Sequence, residues 1–418
     1  MMTTKTITQL SLNQEYFLKE PNSVGIMGPF ALGIIPKEEL PILIRSFLKT
    51  VPVLCVEIFK EGDTYVQKEI DPEQVKFELE CKTISKNQGF KTIENIVLNF
   101  LSNTYNFDGG ELIRVIAVTN EERGDTSIVI GIHHILTDMY TNMILEENLY
   151  TFFQQKPMQQ IKLTNCDYQE WQQQFLTSEK ALKSIDFWKK NINTTNCEGQ
   201  PFKKNLNSND RNYIYDTFKL QISHEKLNEF HSILTSLRIP ISAFFLAMHQ
   251  ELIQLIFGEV KGLQLIRVSG REQTMADFDI QNVHGMVSNT IPLVLQPLQD
   301  NFKSNAIKIF SEYCRARQHQ IIPYVLIEKE IRESHNMIID DCSFGVYNFK
   351  SFEQSFETMT GMSETREDKI FHYNDLCNFE VNAYNNVINI TVSLTKSMSK
   401  RLPESFNLFD FMLEKIDN

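Results

Sequence analysis

Gly131-Ile132-His133-His134-Ile135-Leu136-Thr137-Asp138 brings two imidazoles and a carboxylate together where a strand pattern gives way to a helix pattern. Upstream, Ile128, Ile130, Ile132 and His134 share one face of a period-2 strand, while Val129, Gly131 and His133 share the other. The two rings therefore point apart, which argues against a shared metal and for separate jobs: one ring facing a cleft, its neighbour facing packing or a hydrogen-bond partner. An unperturbed imidazole titrates near about 6.5, close enough to working pH to accept a proton in catalysis. A strand-to-helix junction carrying such a group is one where acyl-transfer chemistry can be built. Thr137 or Asp138 can cap a helix running from about Met139 to Phe153, with Met139, Met143, Ile144, Tyr150 and Phe153 near helical spacing. Taken alone, the aspartate reads equally well as a cap or as a functional group.

These residues need a scaffold, and the composition supplies one. With 418 residues and 42% hydrophobic content the chain has enough apolar side chain for more than one core. Charged residues make up 22% and no stretch is of low complexity, so the expectation is a globular protein. The net charge of -12 weighs against general nucleic-acid binding, which needs a positive surface to displace counterions. The polar N-terminus lacks a secretory layout, and the most apolar long window, Ile241 to Phe257, contains His249, Gln250, Glu251 and Gln254, so it reads as a buried or amphipathic helix and not a membrane span. The 7 cysteines show no Cys-x-x-Cys spacing and suit reduced thiols in a cytoplasm, where they act as packing residues. No metal set is expected.

Strand and helix patterns alternate throughout, which implies mixed α/β layers. Glu38 to Leu48 reads as a helix behind Pro36, and Val53 to Phe59 as a strand. Leu112 to Val118 and Ser127 to His134 flank a polar turn, Asn120 to Asp125, and so form a hairpin that delivers the histidines. Helices follow around Asp167 to Gln172 and Ala181 to Ile192, their aromatics expected to pack across a domain junction. Asn191 to Asn212 reads as a linker or long loop. The second half opens with a strand over Tyr213 to Ile222, continues with helices around Glu225 to Leu237 and Ile241 to Phe257, and adds strands near Leu263 to Val268 and Ile291 to Leu295. Two lobes result, 1–180 carrying the histidines and 181–418, with His134 expected between them, where small-molecule sites tend to lie. The remaining histidines, such as His224, His231 and His372, read as solvated or capping.

Several segments, in order, resemble the condensation domains of nonribosomal peptide synthetases, within the chloramphenicol-acetyltransferase-like acyltransferases. Ser11-Leu12-Asn13-Gln14 is similar to the family's opening Ser-x-x-Gln, and the histidine segment to its central His-His-x-x-x-Asp signature. Asp167-Tyr168 through Trp171-Gln172 resembles the Asp-Tyr-x-x-Trp segment. Gly270-Arg271, then Gly285 through Leu293, resemble the later Gly-Arg and Gly-x-x-Val-Asn-Thr-x-Pro-Leu elements. His319-Gln320 with Pro323-Tyr324, and Ser343 to Phe349, resemble the last two. The resemblance implies an α/β fold of two chloramphenicol-acetyltransferase-like lobes in a V-shaped pseudodimer with a central tunnel. It implies an enzyme that joins an acyl thioester on an acyl or peptidyl carrier protein to an amine or hydroxyl acceptor in secondary metabolism. The chain would bind no cofactor of its own, phosphopantetheine arriving on the carrier. A coenzyme A-dependent acyltransferase and a non-catalytic recruitment module are the alternatives. With no room for adenylation or carrier domains, a freestanding, cytoplasmic, monomeric member is expected, without nucleic-acid or membrane partners.

On this resemblance His134 is the catalytic imidazole, acting as base or as positioner of the nucleophile, and His133 is structural. Asp138 corresponds to the family aspartate that pairs with the arginine of the Gly-Arg element, here Arg271; otherwise Asp138 is a helix cap and Arg271 a surface residue. Met139 stands where the family has Gly. Its backbone N–H can still face an oxyanion at the helix start, while its thioether narrows the passage and tolerance of positive φ is lost. Lys49 to Leu54 replaces the family's Arg-His-Glu-x-Leu-Arg stretch. Asn348 is a candidate substrate contact or a buried Asn closing a strand, and Ser288 either binds substrate or shapes the lobe interface.

Overall fold

The structure is a computed structural model that describes residues 7–417 apart from 86–89, 159, 161, 194–196, 198–214, 224–229, 231, 233, 237, 260, 273–274, 276, 300, 352–375 and 385–386. The described residues form two compact units. One holds those up to Ser178 together with Ser269–Ser288, and the other holds those of Glu179–Val268 and from Asn289 onward.

In the first unit a three-stranded sheet joins β1 (Ile7–Gln9), β3 (Val56–Glu61) and β4 (Thr64–Glu69), with β4 in the middle. A second sheet has the order β2-β7-β6-β5, from β2 (Val24–Gly33), β5 (Glu78–Ile84), β6 (Ile113–Asn120) and β7 (Thr126–His133). β6 and β7 form the hairpin that their alternation predicts, with the Asn120 N–H bonded to the Asp125 carbonyl at the turn. The expected strand at Val53 starts instead at Val56. Pro52 has no N–H to give a ladder, and Pro52–Leu54 forms a tight 3-10 turn.

The β7 alternation sorts residues between two cores. Ile128, Ile130 and Ile132 join a large cluster with Ile44 and Phe47 of α2 (Leu40–Leu48) and Leu145 and Leu149 of α4 (Met139–Phe153). Val129 joins Val97, Phe100 and Leu101 of α3 (Phe90–Leu101) on the opposite face. β7 is thus buried on both sides, which is why it reads as a nearly continuous apolar run. The unit also contains α1 (Leu12–Tyr16) and α5 (Asn165–Phe175).

The second unit is built on a six-stranded sheet of order β10-β9-β11-β12-β13-β8, its strands being β8 (Tyr215–Ile222), β9 (Leu263–Val268), β10 (Asn289–Val294), β11 (Ser343–Ser351), β12 (Cys377–Tyr384) and β13 (Val387–Thr395). β11 pairs in parallel with both β9 and β12, and the other pairings are antiparallel. The apolar window forms a buried helix, Ile241–Phe257, which starts behind Pro240 and ends at Gly258. The aromatic helices expected to meet across a junction pack within their own units. Trp171 stacks between Phe175 and Phe278 in the first, and Trp188 of the helix Glu179–Asn191 donates to the His319 carbonyl in the second at 3.2 Å. Most of the linker at Asn191 to Asn212, much of the helix near Glu225 to Leu237, and His224, His231 and His372 lie outside the described residues. Among the described residues no helix is long and apolar enough to cross a membrane.

Candidate active site

The histidine loop follows β7 directly, and its geometry comes from satisfying one backbone carbonyl after another. A short connection between a buried strand and a buried helix must find a partner for each polar backbone group it hides. The Leu136 N–H returns to the His133 carbonyl at 3.0 Å. Gln14 Nε2 donates to the Ile135 carbonyl at 3.0 Å, Asn165 Nδ2 to the Leu136 carbonyl at 2.8 Å, and His134 Nδ1 to the Thr137 carbonyl at 2.8 Å. Gln14 and Asn165 come from distant helix starts, so the loop is clamped from outside.

His133 is fully buried, and both ring nitrogens are engaged. Nδ1 accepts from the Ile135 N–H at 3.0 Å, so Nε2 carries the proton and donates to the Glu20 carbonyl at 2.9 Å. Tyr105 and Phe107 pack around the ring at 5.1 and 4.9 Å between centroids. Burial pushes its pKa down to about 3, so the ring is neutral at working pH.

His134 is half-buried and lies in the turn just past the strand, its N–H tied to the Ser23 carbonyl at 3.0 Å. Because a carbonyl only accepts, Nδ1 is the protonated nitrogen and Nε2 carries the lone pair. Phe17 packs against the ring at 5.7 Å. Gly25 on β2 also touches it: a Cβ there would lie 3.3 Å from His134 Cε1 and 1.9 Å from Asn142 Nδ2.

Asp138 satisfies both of the readings its position allows. Its backbone is extended and Oδ1 accepts from the Thr141 N–H at 3.0 Å, which is an N-cap of α4. The same carboxylate meets Arg271 in a bidentate pair, Nη1 to Oδ2 at 2.5 Å and Nη2 to Oδ1 at 3.1 Å. Oδ2 also accepts from the backbone N–H of Val287 and Ser288 at 3.0 and 2.9 Å and from the Ser288 hydroxyl at 3.1 Å. Burial alone raises this carboxyl, but the Arg271 charge and the donated N–H groups outweigh it and hold the pKa below the ordinary carboxylate value. Arg271 is itself buried, with Tyr140 stacked over its guanidinium at 4.6 Å and the carbonyls of Val283 and Gly285 taking its other protons.

Met139 is the first residue of α4 and is half-buried. Ser288 belongs to the same unit, its hydroxyl committed to Asp138. Asn348 lies in the other unit, half-buried on β11 opposite Glu380 of β12. Thr141 and Asn165 take part in the clamp although composition and periodicity give them no role: Thr141 Oγ1 accepts from the Gly285 N–H and donates to its carbonyl, and Asn165 Oδ1 accepts from the Met286 N–H at 2.8 Å. Gln14 could have been found, since Ser11 and Gln14 stand at capping-box spacing. Cys166 is no candidate nucleophile, because burial pushes its thiol up to about 12.

Three sheets in two α/β units, one of them carrying a clamped histidine loop, define the class of fold, and comparison with known proteins gives the family. The chain belongs to the condensation domain family, whose model matches residues 44–399. It is similar to a polyketide synthase-nonribosomal peptide synthetase of Aspergillus clavatus, at 25% identity over 260 residues, covering 60% of this chain and 6% of the synthetase. Among solved structures it matches the epimerization domain from the third module of tyrocidine synthetase B, with TM-score 0.75, 12% identity and coverage of 99% of this chain and 98% of that one. It also matches the starter condensation domain of rhizomide synthetase, solved as a variant in complex with C8-CoA, with TM-score 0.72, 14% identity and coverage of 99% and 95%. The chain spans only a small part of the curated synthetases it resembles, 6% of the Aspergillus protein.

Proposed function

We propose that the chain is a condensation enzyme that acts in trans on a carrier protein, joining a phosphopantetheine-borne acyl thioester to an amine or hydroxyl acceptor. The observation that carries this reading is the Nδ1 bond from His134 to the Thr137 carbonyl at 2.8 Å, which fixes the tautomer whose Nε2 can take a proton. For an amine acceptor the nitrogen attacks the thioester carbonyl carbon, forming the C–N bond, while its proton passes to His134 Nε2. Collapse of the tetrahedral intermediate breaks the C–S bond, and the proton leaves with the thiolate as thiol. The Met139 N–H at the first turn of α4 is the proposed donor to the oxyanion. Asp138 and Arg271 act on the loop and not on the proton. Asn348 is carried as a proposed contact to the acceptor.

A second reading, an acyl donor on free coenzyme A, is favoured by the C8-CoA complex of the rhizomide starter domain. The two are separated by supplying one acyl group on a carrier protein and on coenzyme A with the same amine acceptor. Product from the carrier at the greater kcat/KM supports the first, and the reverse order supports the second. His134→Ala is expected to lower turnover by about 10²- to 10⁴-fold while the fold is retained. Unchanged turnover in that variant would take the proton-accepting role away from His134, and no product from either donor would leave the chain as a binding module.

A further inference from the structure

A cavity of about 370 Å³ opens in the second unit at the end of β10 away from Asn289, lined by the strand and by the helix Phe302–Arg317. Sites for small molecules usually hold about 300 to 1,000 Å³, so this one is large enough for such a ligand. Half-buried Val294 and Leu295, with Pro297 beyond them, give it apolar surface. Exposed Lys261, just ahead of β9, and Arg315 of the helix bring two positive charges.

The polar groups left to offer here are donors. β10 is an edge strand, paired on one side with β9. The Leu295 N–H donates to the Gly262 carbonyl at 2.9 Å, so the neighbouring Val294 turns its own N–H and carbonyl the other way, to the open edge. Gln296 Nε2 takes that carbonyl at 3.0 Å, while the Val294 N–H has no acceptor among the described residues. Arg315 Nη2 bonds Asn191 Oδ1 at 3.2 Å and pairs with Glu312, and its Nε and Nη1 have no partner among the described residues. Glu312 is the one carboxylate among the lining residues, and it is committed to Arg315. Two cations against one carboxylate leave the cavity with one positive charge in a chain whose net charge is -12.

Donors and cations beside hydrocarbon select a ligand that is anionic at one end and apolar along its body. Inorganic phosphate or sulfate would leave Val294 and Leu295 uncovered. A peptide strand laid along the edge would look for its next donor two residues back, and Pro292 has none to give. The single positive charge matches a monoanion, which a carboxylate is at neutral pH. We propose that this cavity binds a small apolar carboxylate, its oxygens taken by Lys261, Arg315 and the Val294 N–H and its hydrocarbon covered by Val294, Leu295 and Pro297. All the lining residues belong to the second unit and the histidine loop to the first, so this is a ligand site additional to the acyl-transfer reading and independent of it.

The test titrates the full chain by calorimetry with 4-phenylbutyrate and with its uncharged amide, 4-phenylbutyramide. Wild type is expected to bind the acid and to bind the amide about tenfold more weakly or less, the equivalent of one charge-assisted hydrogen bond. Lys261→Met and Arg315→Met are each expected to weaken the acid by about three- to tenfold and to leave the amide unchanged, with amide exchange in β12 reporting that the unit stays folded. The acid is also expected to slow exchange at the Val294 amide. His134→Ala is expected to bind the acid as wild type does; binding lost in that variant would put the ligand at the histidine loop and overturn the assignment. Equal affinity for acid and amide, or wild-type affinity in the Lys261→Met, Arg315→Met double variant, also overturns it. So does 4-phenylbutyrate in the millimolar range if it gives neither heat nor slower exchange at Val294.

Discussion

A carboxylate as deeply buried as that of Asp138 stays ionised only because a guanidinium and several N–H groups take the place of water around it. The pair is therefore asymmetric in its response to mutation. Arg271→Met removes the countercharge and strands the carboxylate, and Asp138→Asn strands the guanidinium; each is expected to cost roughly 3 to 5 kcal/mol. The double variant strands neither charge, so its cost falls well below the sum of the singles. Denaturant unfolding of the three proteins checks this, and simple additivity would show that the contact carries no coupling. Gly25 makes a second residue-scale case. Gly25→Ala places a methyl on the Asn142 amide, 1.9 Å from its Nδ2, and in tight contact with His134 at 3.3 Å, and a displacement of about 1 Å at a reacting group can cost about 10²-fold in rate. Adding Asn142→Ala removes the closest clash and is expected to return part of the lost kcat; a double variant as slow as Gly25→Ala would show that the obstruction lies elsewhere.

At the scale of elements, the hairpin and α4 were legible because their signals are local. Alternation in β6 and β7 placed the strands within a residue or two, and Asp138 followed by a helical run placed the start of α4. The buried face of α4 was only partly legible. Its apolar spacing selected Met139, Met143, Ile144, Tyr150 and Phe153, of which Ile144 is buried and Phe153 packs against the core, yet Tyr150 is 41% exposed, while Asn142, Glu146 and Asn148 are buried. Periodicity assigns polar residues to solvent by default, and only the facing glycines of β2 and the loop partners explain why these point inward. The clamp on the histidine loop was hidden for a similar reason: Gln14 and Asn165 reach carbonyls far away in sequence. The Asp138–Arg271 pairing was readable through family resemblance and not through spacing, since the partners are separated by 133 positions. Asn165→Ala tests the clamp. It leaves the Leu136 carbonyl and the Met286 N–H without partners, at a cost of about 1 to 3 kcal/mol for each group that stays buried. Amide exchange at Met286 is expected to quicken far more than exchange in the core of β7; equal protection in variant and wild type would mean that the loop holds its shape without Asn165.

For the whole molecule, each compact unit carries a buried neutral histidine, and both contribute to how the protein responds to acid. His133 in the first unit and His249 in the second are both fully buried, and burial pushes both pKa values down to about 3. His249 Nδ1 faces Gln264 Nε2 at 2.7 Å, and Gln250 in turn donates to Gln264, so the second ring is locked into a polar chain inside apolar surroundings. Unfolded histidine titrates near about 6.5, so above that pH neither state binds the proton and both contributions are complete. As pH falls below 6.5 the unfolded chain takes up protons that the folded chain refuses, and stability is lost until the folded pKa near 3 is reached. The slope approaches about 1.4 kcal/mol per pH unit for each ring, or about 2 kcal/mol per ring by pH 5. Two units need not unfold together, so each is followed by its own probe, hydrogen exchange in β7 for the first and in β12 for the second. His249→Leu is expected to flatten the acid limb of the second unit alone. The variant also leaves Gln264 short of a partner and lowers stability at every pH, which makes the slope and not the absolute value the quantity to compare. An acid limb as steep in the variant as in wild type would mean that other groups titrate there, and His249 would lose its part in the account.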